Sequence, residues 1–109
     1  MAEVLKNAMV IVNNTSNETD VLTVADDHTY TVLSIRICER AGADELFNMY
    51  VRDDAGSTDY YIYDSQSLPA SATFNDNDKL ILLKTDVLSI KFDSAATAHV
   101  VISYLDQDD

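Results

Sequence analysis

Aspartate is the residue type with the most chemical potential in this chain, because it gathers in three short loops. "DDAGSTD" sets Asp53, Asp54 and Asp59 around Gly56, "DND" holds Asp76 and Asp78, and "ADD" holds Asp26 and Asp27. Calcium asks for six to eight oxygens, typically at a D-x-D-x-D-G spacing. None of the three loops has it, so they read as solvated turns in which Asp bonds its own backbone. His28 and His99 lack an H-x-H or H-x-x-x-H spacing, and a zinc site would need Cys38 or an Asp to join them. Cys38 alternates with Ile37 in a strand-like run and reads as a small, half-buried residue. As a nucleophile it would need a His partner. As the single cysteine it forms no internal disulfide. Glu3, Glu18, Glu39 and Glu45 all flank turns or ends, not apolar runs that would raise a carboxyl pKa. There is no G-x-S-x-G, P-loop or G-x-G-x-x-G. The chain therefore reads as a non-enzyme with no cofactor and no metal site.

Charge narrows the partners. Nineteen acidic against seven basic residues give a formal net charge of −12. Phosphate neutralisation needs clustered Lys and Arg, so direct nucleic-acid binding is excluded as an expectation, and an anionic membrane surface with it. The acidity favours solubility and suppresses non-specific association. Asn13, Asn14 and Asn17 head three N-x-S/T acceptors in close succession, but the first residues make a poor signal peptide, so the stretch reads as a polar loop.

The elements that must position these residues are β nearly throughout. With 109 residues the chain fits one domain. Strand-like runs cover 8–13, 21–24, 29–39, 46–52, 60–64, 71–74, 79–84, 87–92 and 99–105, with turns every 8–12 residues. In the third run Leu33, Ile35 and Ile37 share one face, with Ser34 and Arg36 on the other. In later runs Phe47, Met49 and Val51 point together. So do Leu88, Ile90 and Phe92, and then Val100, Ile102 and Tyr104. "KLILLK" is apolar on both faces, as in a central strand. The pattern predicts an all-β, single-domain antiparallel β-sandwich of eight or nine short strands, either jelly-roll or immunoglobulin-like. The sandwich spans 9–105, residues 1–8 form an N-terminal arm, and 106–109 form a solvated acidic tail. Only Gly42 and Gly56 are available for positive φ, so Asp and Asn must serve the other turns, in loops of three residues or more.

The single proline, Pro69, cannot donate to a central ladder and forces Leu68 into an extended conformation. Residues 64–70 read as one of one or two crossovers between sheets, with Leu68 tucked into the core. Tyr50, Tyr60, Tyr61 and Tyr63 are the strongest surface candidates. Tyr60 and Tyr61 point to opposite faces, so one looks outward, where an aromatic can anchor an interface or stack on a sugar ring.

Three stretches resemble a known family: "VLSIRICE" (32–39), "LPASATF" (68–74) and "DVLSI" (86–90), with a last match at "AHVVISYL" (98–105). They are similar to short virion structural proteins of tailed phages over residues 20–105. Where that family has a Gly before "DVL", this chain has Thr85. The resemblance implies a non-enzymatic β-sandwich in a particle. Its leading form is a capsid cement or decoration protein on the outer surface of the capsid, bound to the major capsid protein and to sister subunits in a homotrimer. A tail, neck or head-fibre component that binds a receptor or glycan is the alternative. The interface residues expected on this reading are Tyr50, Tyr60, Tyr61, Tyr63, Leu68, Met1, Val4 and Leu5.

Overall fold

The computed structural model describes residues 3–53 and 58–108. Met1 of the expected interface, and Asp54 and Gly56 of the 53–59 loop, lie outside them. Nine strands and no helix make up the described chain: β1 (Glu3–Thr15), β2 (Thr19–Thr23), β3 (His28–Glu39), β4 (Glu45–Arg52), β5 (Asp59–Leu68), β6 (Thr73–Asp76), β7 (Leu80–Leu82), β8 (Val87–Phe92) and β9 (Ala96–Asp108). Each falls on a run that alternates or is rich in β-branched and aromatic residues, as a half-buried pleated surface requires.

The strands form two antiparallel sheets. Sheet A has the order β1-β9-β3-β6, with β7 also on β3, and sheet B has the order β2-β8-β4-β5. The pairs β1·β9, β2·β8, β3·β6/β7 and β4·β5 are the four rungs of one long hairpin rolled into a sandwich. That is a jelly roll whose sixth strand is split into β6 and β7. An immunoglobulin-like order is thereby excluded. The chain changes sheet at six connections, not at the one or two expected from Pro69.

Pro69 does mark a crossover. β5 lies in sheet B, β6 lies in sheet A, and Leu68 at the end of β5 is fully buried. The crossover starts later than residue 64, because Ser67 and Leu68 still pair with β4. The core between the sheets is built from inward residues such as Val32, Ile37, Phe47, Leu88, Ile90 and Ile102. Phe47 packs edge-on against Phe74 and Tyr63, which welds β4, β5 and β6 at one end.

Several local expectations differ from the structure. A β-bulge between Val32 and Ser34 shifts the phase of β3, so Tyr30 and Val32 point inward before it and Ile35 and Ile37 after it, while Leu33 is only half-buried. β7 is not central: it pairs with β3 alone and leaves Ile81 exposed. Residues Glu3–Ala8, expected as an arm, form the first half of β1 and pair with Ile102–Gln107. The tail expected at 106–109 continues β9 through Asp108, and its Asp106 is buried. The two stretches meet at Glu3–Gln107 and Val4–Asp106, and the tail is held on its other side by His28–Tyr30 of β3.

Among the described residues the left-handed positions are Asn14, Asp27 and Gly42, as Asn, Asp and Gly favour, together with Ser65, Ser71 and Thr85. Thr85, at φ 65°, holds the left-handed conformation that a Gly would take without strain. Hydrogen bonds around that turn hold it: Thr85 N–H donates to Val24 O, Asp86 N–H to Leu83 O, and Leu83 N–H to the Asp86 carboxylate.

Candidate functional site: two outer faces and an ion-paired end

Because side chains alternate, each sheet has an inner face on the core and an outer face toward solvent. On sheet A the outward residues of β1 are Leu5, Asn7, Met9 and Ile11, and the register sets Leu105, Ser103, Val101 and His99 of β9 beside them. Further across lie Thr31 with Ile81, and Arg36. Leu5, Met9, Ile11 and Ile81 are 74%, 71%, 65% and 62% exposed. Met9, Ile11, His99 and Val101 line a shallow depression of about 260 Å³. Leu5, Asn7, Leu33 and Ser103 line another of about 410 Å³. The face is also nearly free of acid, because no Asp or Glu occurs at 4–17, 28–38 or 94–105, the bodies of its three long strands. In a chain of net charge −12 the carboxylates are therefore concentrated elsewhere.

Sheet B carries a polar network on its outer face. The Tyr50 hydroxyl donates to Glu18, and the Arg52 guanidinium reaches both Glu18 and Asp20. Ser89 Oγ donates to Asp20 Oδ1 at 2.9 Å. Burial first, and then the Glu18 carboxylate, push the Tyr50 hydroxyl well above its ordinary pKa, so it stays protonated and donates. The Tyr61 ring lies against Tyr50 with centroids 5.1 Å apart, and stays 55% exposed. Tyr61 also lines a polar depression with Ser16, Asn48, Lys91 and Asp93.

A third cluster closes the end of sheet A where β1 starts. Lys6 Nζ donates to Asp106 Oδ2 at 2.8 Å, and His28 Nδ1 lies 2.6 Å from Asp106 Oδ1. His28 Nε2 lies 3.0 Å from Asp108 Oδ1. The hydrogen bond to Asp106 holds His28 above its ordinary pKa, and Lys6, then His28, hold Asp106 below its own. His28 thus opens β3, although its sequence reads as a turn.

Glu39 is a fourth polar centre, and one the sequence reading misplaced. It is 2% exposed and not at a solvated strand end. Its carboxylate accepts the backbone N–H groups of Ser71, Ala41 and Gly42 at 2.7–2.8 Å, and these, Ser71 first, lower its pKa. One side chain therefore ties the β3–β4 turn to the Pro69 crossover. The signal was available: a Glu ending an alternating strand just before a Gly turn. Glu45 is buried too and accepts from Ser94 Oγ at 3.0 Å.

The expected interface residues separate into two groups. Tyr50 and Leu68 are buried, and Tyr63 is half-buried on Phe47 and Phe74. Tyr60, Tyr61, Val4 and Leu5 are exposed. The larger exposed set on Met9, Ile11 and Ile81 was missed, because an apolar residue in an alternating run reads as core whichever way it points. Cys38 and His99 are register partners on β3 and β9, with Cys38 Sγ 3.8 Å from the Glu39 carbonyl. Among the described residues no three His, Cys, Asp or Glu side chains converge to hold a metal.

No family model matches the chain, and no curated protein matches its sequence. Solved structures do. A chain from the acid-stable capsid structure of the Helicobacter pylori bacteriophage KHP30 superposes with a TM-score of 0.61 at 8% identity, covering 99% of this chain and 98% of the other. A chain from Bacillus endospore appendages, a family of disulfide-linked pili, gives 0.60 at 9% identity, covering 97% and 88%. The Drosophila NLP core, a structure concerned with pentamer formation and histone binding, gives 0.54 at 11% identity, covering 91% and 96%. At such identities the likeness is one of fold, and with the phage chain it runs end to end in both directions.

Proposed function

We propose that this chain is a non-enzymatic structural protein of a phage particle, a cement or decoration protein that binds the major capsid protein on the outer surface of the shell. The observation that carries the proposal is the outer face of sheet A: an apolar and nearly acid-free surface on an otherwise strongly acidic protein. Exposed apolar surface of that extent marks a contact with another macromolecule. The end-to-end likeness to a chain of a phage capsid structure, and the resemblance to virion proteins in "VLSIRICE" and "LPASATF", support this choice of partner. On this reading sheet A faces the shell, and the acidic loops and sheet B face solvent, where their charge keeps particles apart. The resemblance carries the further proposal of a homotrimer. Val4 and Leu5 belong to the gripping surface, whereas Tyr60 and Tyr61, on sheet B, lie away from it. Neither nucleic acid nor membrane is a direct partner.

A second reading has its own observation. Tyr61 beside Ser16, Asn48, Lys91 and Asp93 is an aromatic platform with polar neighbours, as a saccharide would need. That favours a tail, neck or head-fibre component binding a receptor or glycan. Copy number separates the two. Quantitative mass spectrometry of purified virions should give a ratio to the major capsid protein between one to one and one to a few. A handful of copies per particle would move the protein to the tail or neck. Absence from the virion would refute both readings.

A further inference from the structure

The four sides of the sandwich differ in how their sheet edges are closed. An unpaired strand edge recruits other strands, and proteins block it with short strands, bulges, charges or proline. β6 and β7 have four and three residues, and β2 has five with a register shift between Asp20 and Leu22. β5 is longer, but its pairing shifts register twice and Ser65 breaks it with positive φ. Each of these edges is blunted. β1 is not: it pairs with β9 without interruption from Glu3 to Val12 and contains no proline and no glycine, and its far side pairs with no strand. From residue 4 to residue 17 it carries no acid. Its single cation, Lys6, is turned under the sheet onto Asp106 and does not guard the edge.

We propose that the free edge of β1 pairs antiparallel with β1 of a second copy of this chain, about a two-fold axis at Ala8. Charge selects the occupant. Two chains of −12 repel through most of their surfaces, and an acid-free edge is where they meet at least cost. The strand is also self-complementary. With the axis at Ala8, Leu5 of one copy faces Ile11 of the other and Asn7 faces Met9, so the exposed apolar row gains cross-strand partners of its own kind. The two five-stranded sheets become one continuous ten-stranded sheet with a single apolar outer face. The contact is isologous and closes at two copies. Where trimers also form through another surface, it joins them in pairs. The inference does not depend on which particle the protein serves.

Light scattering of the purified chain over a concentration series tests it. The expected mass is an even multiple of the monomer. Met9→Lys/Ile11→Lys should weaken the pairing by roughly tenfold or more, since it brings four charges into the paired stretch. The added lysines lower the net negative charge, so a loss of association cannot come from general repulsion. Tyr60→Lys/Tyr61→Lys, on the opposite side, should leave the mass unchanged. A second measurement needs no variant. Alternate β1 amides face the free edge, and in the wild-type chain their hydrogen exchange should be slow at high concentration and fast on dilution. A monomer or an isolated trimer at every concentration would overturn the proposal. So would a dimer that survives the β1 changes, or β1 edge amides that exchange fast within the dimer.

Discussion

On the outer face of sheet B, Tyr50, Arg52 and Ser89 direct their polar groups onto Glu18 and Asp20, and the chain satisfies itself there. On the outer face of sheet A, Leu5, Met9, Ile11 and Ile81 stand mostly exposed around two shallow depressions. Both faces come from strands with the same alternation. They differ in what fills the outward positions: hydrogen-bonding groups within reach of each other on B, apolar groups on A. The B face is a stabilising surface and the A face an unsatisfied one. Substitutions should therefore separate stability from association.

The largest expected effect lies beneath both faces. Leu68→Ala removes a fully buried side chain at the crossover and should cost about 2–5 kcal/mol, read by denaturant unfolding. On the B face, Arg52→Ala leaves Glu18 and Asp20 without their cation and should cost about 1–2 kcal/mol, discounted for partial exposure. Association should be unaffected. In the β7–β8 turn, Thr85→Gly relieves a left-handed β-branched residue and should stabilise by about 1 kcal/mol. At a concentration where wild type is monomeric, Met9→Lys/Ile11→Lys on the A face should stay within about 0.5 kcal/mol of it in unfolding, while association at higher concentration falls. A large loss of stability there would break the comparison, because it would make the A face structural.

The smallest effect is a pH dependence at the β1 end. His28 is raised above 6.5 chiefly by its hydrogen bond to Asp106. A raised folded pKa means that its stabilisation is complete below 6.5 and is lost as pH climbs through the raised value. Asp106 is lowered from 3.8, so its stabilisation is present above that value and is lost as pH falls through the folded one. Lys6, Asp108, Tyr30 and Tyr104 surround the pair, and Lys6 stays charged throughout. Thermal unfolding followed from pH 5 to 9 should decline as pH rises above 6.5 in wild type, and His28→Gln should flatten that decline.

Much of the fold was legible in the sequence. Each of the nine strands overlaps one of the nine strand-like runs, with shifted ends, because one buried face imposes a period of two on most of them. Pro69 and the buried Leu68 were legible for the same kind of reason: a residue without an N–H must leave a ladder. What period two cannot carry is phase across a bulge, and Leu33 shows it. Nor can it tell a polar strand end from a solvated tail. Glu3–Ala8 became strand by pairing with Ile102–Gln107, and Asp106–Asp108 by pairing with the start of β3 as well as with β1, partners that lie about eighty to a hundred residues away in sequence. Glu39 before its Gly turn was a readable signal for the local donors Ala41 and Gly42, but the Ser71 donor comes from a crossover that only the fold brings to it. Of the candidate site, Val4, Leu5, Tyr60 and Tyr61 were legible as exposed. Met9, Ile11 and Ile81 were not, because sequence places them on a face without saying whether a second layer covers it.

The most direct test of the account is binding to purified phage heads lacking this protein, with three forms of the chain compared side by side: wild type, an A-face variant (Leu5→Lys/Ile81→Lys) and a B-face variant (Tyr61→Ser). The account predicts that wild type and Tyr61→Ser decorate the heads to the same occupancy and that the A-face variant does not. Full decoration by the A-face variant, or its loss in Tyr61→Ser alone, would contradict it.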